Sequence, residues 1–185
     1  MKKHLVIILW LGIAVIAPSC FAQSVPSVQE TTKQIIRSVK WYASAIACNV
    51  SEVSPKDIAA LVPYKTADDR ENAKYAVLWH GDIGCLGGSG TSTTNIAIVT
   101  VSTGDSFVVD PLRSSPVIEF ESVLSRDFAR LVGNTGDSLV LDGKEYDEKD
   151  AMCCPSLPVR ITVRVDAGGN WKVIDKKAIP SKKKN

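Results

Sequence analysis

The chain has 185 residues, 22 Lys and Arg against 20 Asp and Glu, and two histidines. Charge this close to balance, with no basic stripe, excludes the usual nucleic-acid binder, which shows a clustered positive surface. The length fits one domain that can bury a core without covalent help.

The N-terminus carries Lys2 and Lys3, an apolar run from Leu5 to Ala17, and then Cys20-Phe21-Ala22. That is the layout of a secretory signal peptide, with cleavage expected between Ala22 and Gln23. The run is thirteen residues long, short of the ~20 that span a bilayer as a helix. Ala17-Pro18-Ser19-Cys20 loosely matches a lipoprotein box. In that rival reading Cys20 is lipidated, although Pro18 and Ala17 fit such a box poorly, and only then is membrane contact expected. The division is therefore a signal peptide over 1–22, a single α+β domain over 23–178 and a disordered basic tail over 179–185. Taking 22 residues from 185 leaves 163, with 20 basic and 20 acidic side chains.

Ser27 followed by Glu30 is a capping box, and Val28, Ile35, Val39, Tyr42 and Ile46 recur at helical spacing. These predict a first helix over 27–47. Ser54-Pro55 with Asp57 opens a second, short helix carrying Ile58, Leu61 and Val62, which Pro63 ends. Beyond Lys74 the pattern turns to β-rich runs, predicting strands at 75–79, 96–101, 106–109, 117–121, 128–132, 138–141, 159–165 and 171–174. Arg160, Thr162 and Arg164 alternate with Val159, Ile161, Val163 and Val165, so that strand has one wet face. Turn chemistry marks Asn134-Thr135-Gly136-Asp137 and Ala167-Gly168-Gly169-Asn170. The expected fold is α+β and disulfide-linked, with two N-terminal helices packed on a mostly antiparallel β-sheet. Trp41, Trp79 and Trp171 read as core residues.

Cleavage leaves four cysteines, Cys48, Cys85, Cys153 and Cys154. An even count in an exported chain reads as two disulfides with three connectivities. A bridge between the neighbours Cys153 and Cys154 closes a strained ring and ranks last. Each is expected to reach back to one of Cys48 and Cys85. The adjacent pair also lacks the spacer of a thioredoxin-type motif.

His80 is the one histidine of the mature chain. Zinc sites built on several histidines are thereby excluded, and any Ser-His-Asp relay must use it. It lies in Trp79-His80-Gly81-Asp82, at the mouth of the loop Gly84-Cys85-Leu86-Gly87-Gly88-Ser89-Gly90-Thr91. A phosphate loop needs a following helix and often a lysine, whereas this loop runs into Ile96-Ala97-Ile98-Val99. Its glycines instead allow a tight path around Cys85 and a recognition surface at a sheet edge. Asp142, Glu145, Asp147, Glu148 and Asp150 form an acidic cluster out of order for an EF-hand. It reads as a solvated turn.

The glycine loop together with Asp150-Ala151-Met152-Cys153-Cys154-Pro155-Ser156 resembles a group of small, uncharacterised exported bacterial proteins. They share a cysteine-containing Gly-Gly-Ser-Gly loop and a late Cys-Cys-Pro-Ser/Thr segment. The resemblance covers roughly 75–174, implies a secreted, disulfide-linked fold and imports no active site.

The expected function is that of a periplasmic or secreted, non-enzymatic binding protein with a protein partner in the cell envelope. It would inhibit or neutralise a toxin or hydrolase, as immunity-type proteins do, or serve envelope assembly. The candidate binding residues are Trp79, His80, Asp82, Gly87, Gly88 and Ser89, beside the disulfide cysteines Cys48, Cys85, Cys153 and Cys154. No catalytic residue, metal or cofactor is assigned, and nucleic acid is not a partner. The alternatives are a small envelope hydrolase using His80 with Cys85 or Asp82, and a structural lipoprotein.

Overall fold

A computed structural model describes residues 25–88, 91–114, 129–151, 154–166 and 170–180. The leader with Cys20, residue Ser89, the predicted strand over 117–121, Cys153, the turn residues 167–169 and the end of the tail lie outside the described residues.

The described chain forms three layers: one helix, then a five-stranded sheet, then a four-stranded sheet, both antiparallel. Helix α1 spans Val28–Ile46, and the Ser27 hydroxyl caps it by accepting from the Glu30 amide at 3.2 Å. Thr31, Ile35, Val39 and Ala43, four apart, point into the core, the stripe that a 3.6-residue period produces. The first sheet runs β1 (Ala47–Cys48), β3 (Lys74–Ile83), β4 (Thr93–Val101) and β5 (Phe107–Asp110), with β2 (Ile58–Val62) also paired to β3. The second runs β6 (Arg130–Thr135), β7 (Ser138–Glu145), β8 (Leu157–Val165) and β9 (Trp171–Ala178).

The layering explains the hydropathy of each strand. Strands β3 and β4 are covered on both faces, so they read as nearly continuous apolar runs. Tyr75, Val77, Trp79, Ala97 and Val99 pack toward α1. Ala76, Leu78, Ile96 and Ile98 pack against Leu139, Leu141, Ile161 and Trp171 of the second sheet. Strand β8 has one covered face, with Val159, Ile161 and Val163 buried and Arg160 and Arg164 exposed. Its neighbour β9 is an edge carrying Lys172, Lys176 and Lys177, with an irregularity opposite Thr162/Val163. Edge lysines and bulges discourage further strand addition. The β6–β7 hairpin closes through Gly136 at φ +60°.

The expectation of two N-terminal helices is overturned. Only Pro55–Asp57 is helical, a single 3₁₀ turn with a Ser54/Asp57 capping box, and Ile58–Val62 continues as β2. Pro55 and Pro63 bracket too few residues for a stable helix. Alternation then decides: Ala59 and Leu61 are buried while Ala60 and Val62 face outward. Antiparallel pairing with β3 supplies the hydrogen bonds a helix would have made internally. The described residues are mostly β, with one long helix.

Candidate functional site

The glycine loop leaves β3 at Ile83 and is fixed from three directions. Cys85 is joined to Cys48, just after α1, by a disulfide. The Gly84 amide donates to the Ile46 carbonyl at 2.9 Å. The third tie is Asp82, whose carboxylate accepts from the amides of Gly87 at 2.8 Å and Leu86 at 3.2 Å. Asp82 is buried, and these donors, with the Gly87 amide foremost, hold its carboxyl below the usual range despite the cost of desolvation. Gly84, Cys85, Gly87 and Gly88 all have left-handed backbone, with φ from +54° to +116°. Three of these four are glycine, the residue that adopts this region without strain.

This disulfide corrects the expected connectivity. Cys48 and Cys85 are 37 residues apart and bonded to each other, so neither ties back to Cys153 or Cys154. Cys154 is itself in a disulfide, whose partner lies outside the described residues. The physical reason is local: β1 pairs with β3 so that Cys48 stands opposite Asp82, and the turn at Gly84 carries Cys85 back to it. The link expected to bring the acidic turn beside the glycine loop is therefore not made. A disulfide also fits a non-reducing compartment.

The candidate residues separate into distinct roles. Trp79 is 1% exposed, on the α1 side of the sheet, with its ring edge-to-face to Tyr42 at 6.4 Å. It is core, and its indole nitrogen has no hydrogen-bond partner among the described residues. His80 is half-buried on β3 opposite Thr94. The Thr94 hydroxyl lies 3.2 Å from His80 Nδ1 and accepts from the Ala129 amide at 2.9 Å. Gly87 and Gly88 are exposed backbone, and Ser89 lies outside the described residues.

A thiol mechanism needs a free Cys85, and a carboxylate partner for His80 needs a free Asp82. Cys85 is oxidised, and Asp82 faces the loop amides. What the loop offers outward is Leu86, 78% exposed. Rigid backbone around one protruding apolar side chain suits contact with another surface.

The acidic cluster disperses into structural tasks. Asp142 accepts from Arg160 Nε at 2.6 Å and from Arg130 at 3.1 Å, Glu145 pairs with Lys176 at 2.8 Å, and Asp150 accepts from the amides of Asp147 and Ser156. Among the described residues no group of three or more His, Cys, Asp or Glu is placed to hold a metal ion.

The expectation that Trp41 is a core residue is overturned. Trp41 is 72% exposed and lines a groove of about 440 Å³ with Arg37, Ser38 and Tyr42 of α1 and Phe107 to Val109 of β5. The signal was present in the sequence, because Trp41 lies off the stripe traced by Ile35, Val39 and Ala43. No protein-family model, curated protein or solved structure matches the chain. The proposed role therefore rests on this geometry together with the chain's own sequence.

Proposed function

We propose that the protein is an exported, non-enzymatic binding protein that docks a protein partner in the cell envelope through its glycine loop. It acts there as an inhibitor or immunity-type protein or as an assembly accessory. The supporting observation is the pinned loop. Disulfide, carboxylate cradle and the Gly84 amide fix its backbone from Gly84 to Gly87, and Leu86 stands clear of it. A pre-organised loop forfeits little entropy on binding. The signal-peptide layout and the disulfide support a periplasmic or secreted location, and no described helix is long and apolar enough to cross a membrane.

The test uses oxidised mature protein as bait for the envelope fraction, with Leu86→Glu as the paired variant. A stoichiometric partner retained by the wild type and lost by Leu86→Glu is the expected result. Absence of any partner, together with turnover of an envelope substrate that His80→Ala abolishes, replaces this reading with the hydrolase. Mass analysis of the secreted chain distinguishes an N-terminus at Gln23 from a lipidated Cys20.

A further inference from the structure

We propose that the groove between α1 and β5 is a binding site for a small aromatic monocarboxylate, separate from the glycine loop and independent of it. Its walls are fixed before any ligand arrives. The Ser38 hydroxyl donates to the Phe107 carbonyl at 2.5 Å, clamping helix to strand. Tyr42 is held against the buried Trp79 ring. Phe107 is itself wedged between Tyr64 and Tyr75, with ring centroids 6.4 and 5.9 Å away.

Two side chains on this fixed frame have no structural duty. Trp41 is 72% exposed beside the half-uncovered Val108. Arg37, one helical turn before Trp41, is exposed and meets no carboxylate among the described residues. Residues four apart share a helix face, so guanidinium and indole face the groove together.

The chemistry narrows the ligand class. Trp41, Tyr42 and Phe107 line the groove, and aromatic walls favour an aromatic body through offset or edge contacts. A single guanidinium fork matches a planar carboxylate in two-point geometry. A doubly charged phosphate calls for a second cation, and among the described residues the groove lining holds only Arg37. The volume of about 440 Å³ falls in the range of small-ligand sites. At 1.5 Å rise per residue, residues 37 to 42 span only about 8 Å, which fits a ring on a short linker rather than a long acyl chain. An added peptide strand is poorly served, because the Phe107 carbonyl is already taken by Ser38.

The probe is 3-phenylpropanoate, titrated into the oxidised mature protein while amide shifts and tryptophan fluorescence are followed. Saturable shifts confined to residues 37–42 and 107–109 are expected. Arg37→Gln, and the neutral 3-phenylpropanamide with the wild type, should each weaken binding by about tenfold, the worth of one charge-assisted contact. Trp41→Ala should abolish binding as read by the amide shifts at residues 107–109, which do not depend on the indole as reporter. Both side chains are exposed, so these variants keep the fold, which near-ultraviolet circular dichroism checks. The proposal is overturned if no saturation is reached by about 10 mM, if the amide binds as tightly as the acid, or if the shifts map to the glycine loop.

Discussion

The Trp79 indole lies so close over Gly81 that a Cβ added to Gly81 would sit 2.9 Å from Trp79 Cζ3 and 3.3 Å from the Ala47 Cβ. Two residues on one face of β3 thus share the space that a single side chain normally fills. The glycine is required by this approach rather than by its backbone angles. Gly81→Ala must displace the indole, which is wedged against Tyr42, or push away β1. Overpacking of that kind costs about 1–3 kcal/mol. Denaturant unfolding should register that loss, and Gly133→Ala, where an added Cβ meets nothing within 4 Å, is the control.

The Cys48–Cys85 bond closes a loop of 37 residues. In the chain-entropy model such a closure contributes on the order of 4 kcal/mol. Removing both sulfurs as Cys48→Ser/Cys85→Ser should lower stability by up to that amount and speed amide exchange at Leu86 and Gly87 well before the β4 core responds. Non-reducing peptide mapping checks the pairing directly. A Cys48 peptide linked to a Cys154 peptide would contradict it.

Where the sequence carried one strong local signal, the structure follows it. Ser27 and the spacing of Ile35 and Val39 define α1, and the alternation over 159–165 defines β8 with its wet face. Residues 58–62 were ambiguous because five apolar residues suit a helix or a strand until their neighbour is known. Only the pairing of Ala59 with Ala76 decides the matter. The site was less legible for the same reason. Asp82 looks like a functional acid in sequence, but its role is set by the Leu86 and Gly87 amides that the turn brings back. The disulfide likewise depends on β1 meeting the far end of β3, a contact that no spacing announces.

Stability should fall at both ends of the pH scale, from different groups. Asp82, Asp69, Asp142 and Asp150 all have carboxyls held below the ordinary 3.8. The leading causes are the Gly87 amide, the Thr66 amide, the Arg160 guanidinium and the Asp147 amide, respectively. A depressed carboxyl contributes stability above the unfolded value and loses it as pH falls through the folded one. Tyr42 and Tyr75 are raised above 10.0 by burial, and Tyr64 chiefly by its hydrogen bond to Asp105. Their contribution is full below 10.0 and disappears as pH rises through the folded values. Urea midpoints should therefore drop below about pH 4 and above about pH 10. Asp82→Asn should flatten the acid limb and loosen the glycine loop without changing the alkaline limb.

Three of the four tryptophans, Trp41, Trp79 and Trp171, alike in sequence as large apolar residues, should respond very differently to truncation. Trp171 is 2% exposed, packs between the sheets and donates its indole nitrogen to the Arg113 carbonyl at 3.3 Å. Trp79 fills the layer under α1. Replacing either by Ala opens a large cavity, at a cost of about 3–5 kcal/mol. Trp41 has no core to leave, so Trp41→Ala should stay within about 0.5 kcal/mol of the wild type, as surface changes do. Thermal and urea unfolding of the three variants provide the comparison. A Trp41→Ala protein as unstable as Trp79→Ala would show that α1 does not present this indole to solvent, and the groove beside β5 would then have no open wall. Retained stability, with the amide shifts at residues 107–109 on titrating 3-phenylpropanoate lost, would separate the binding role of Trp41 from any structural one.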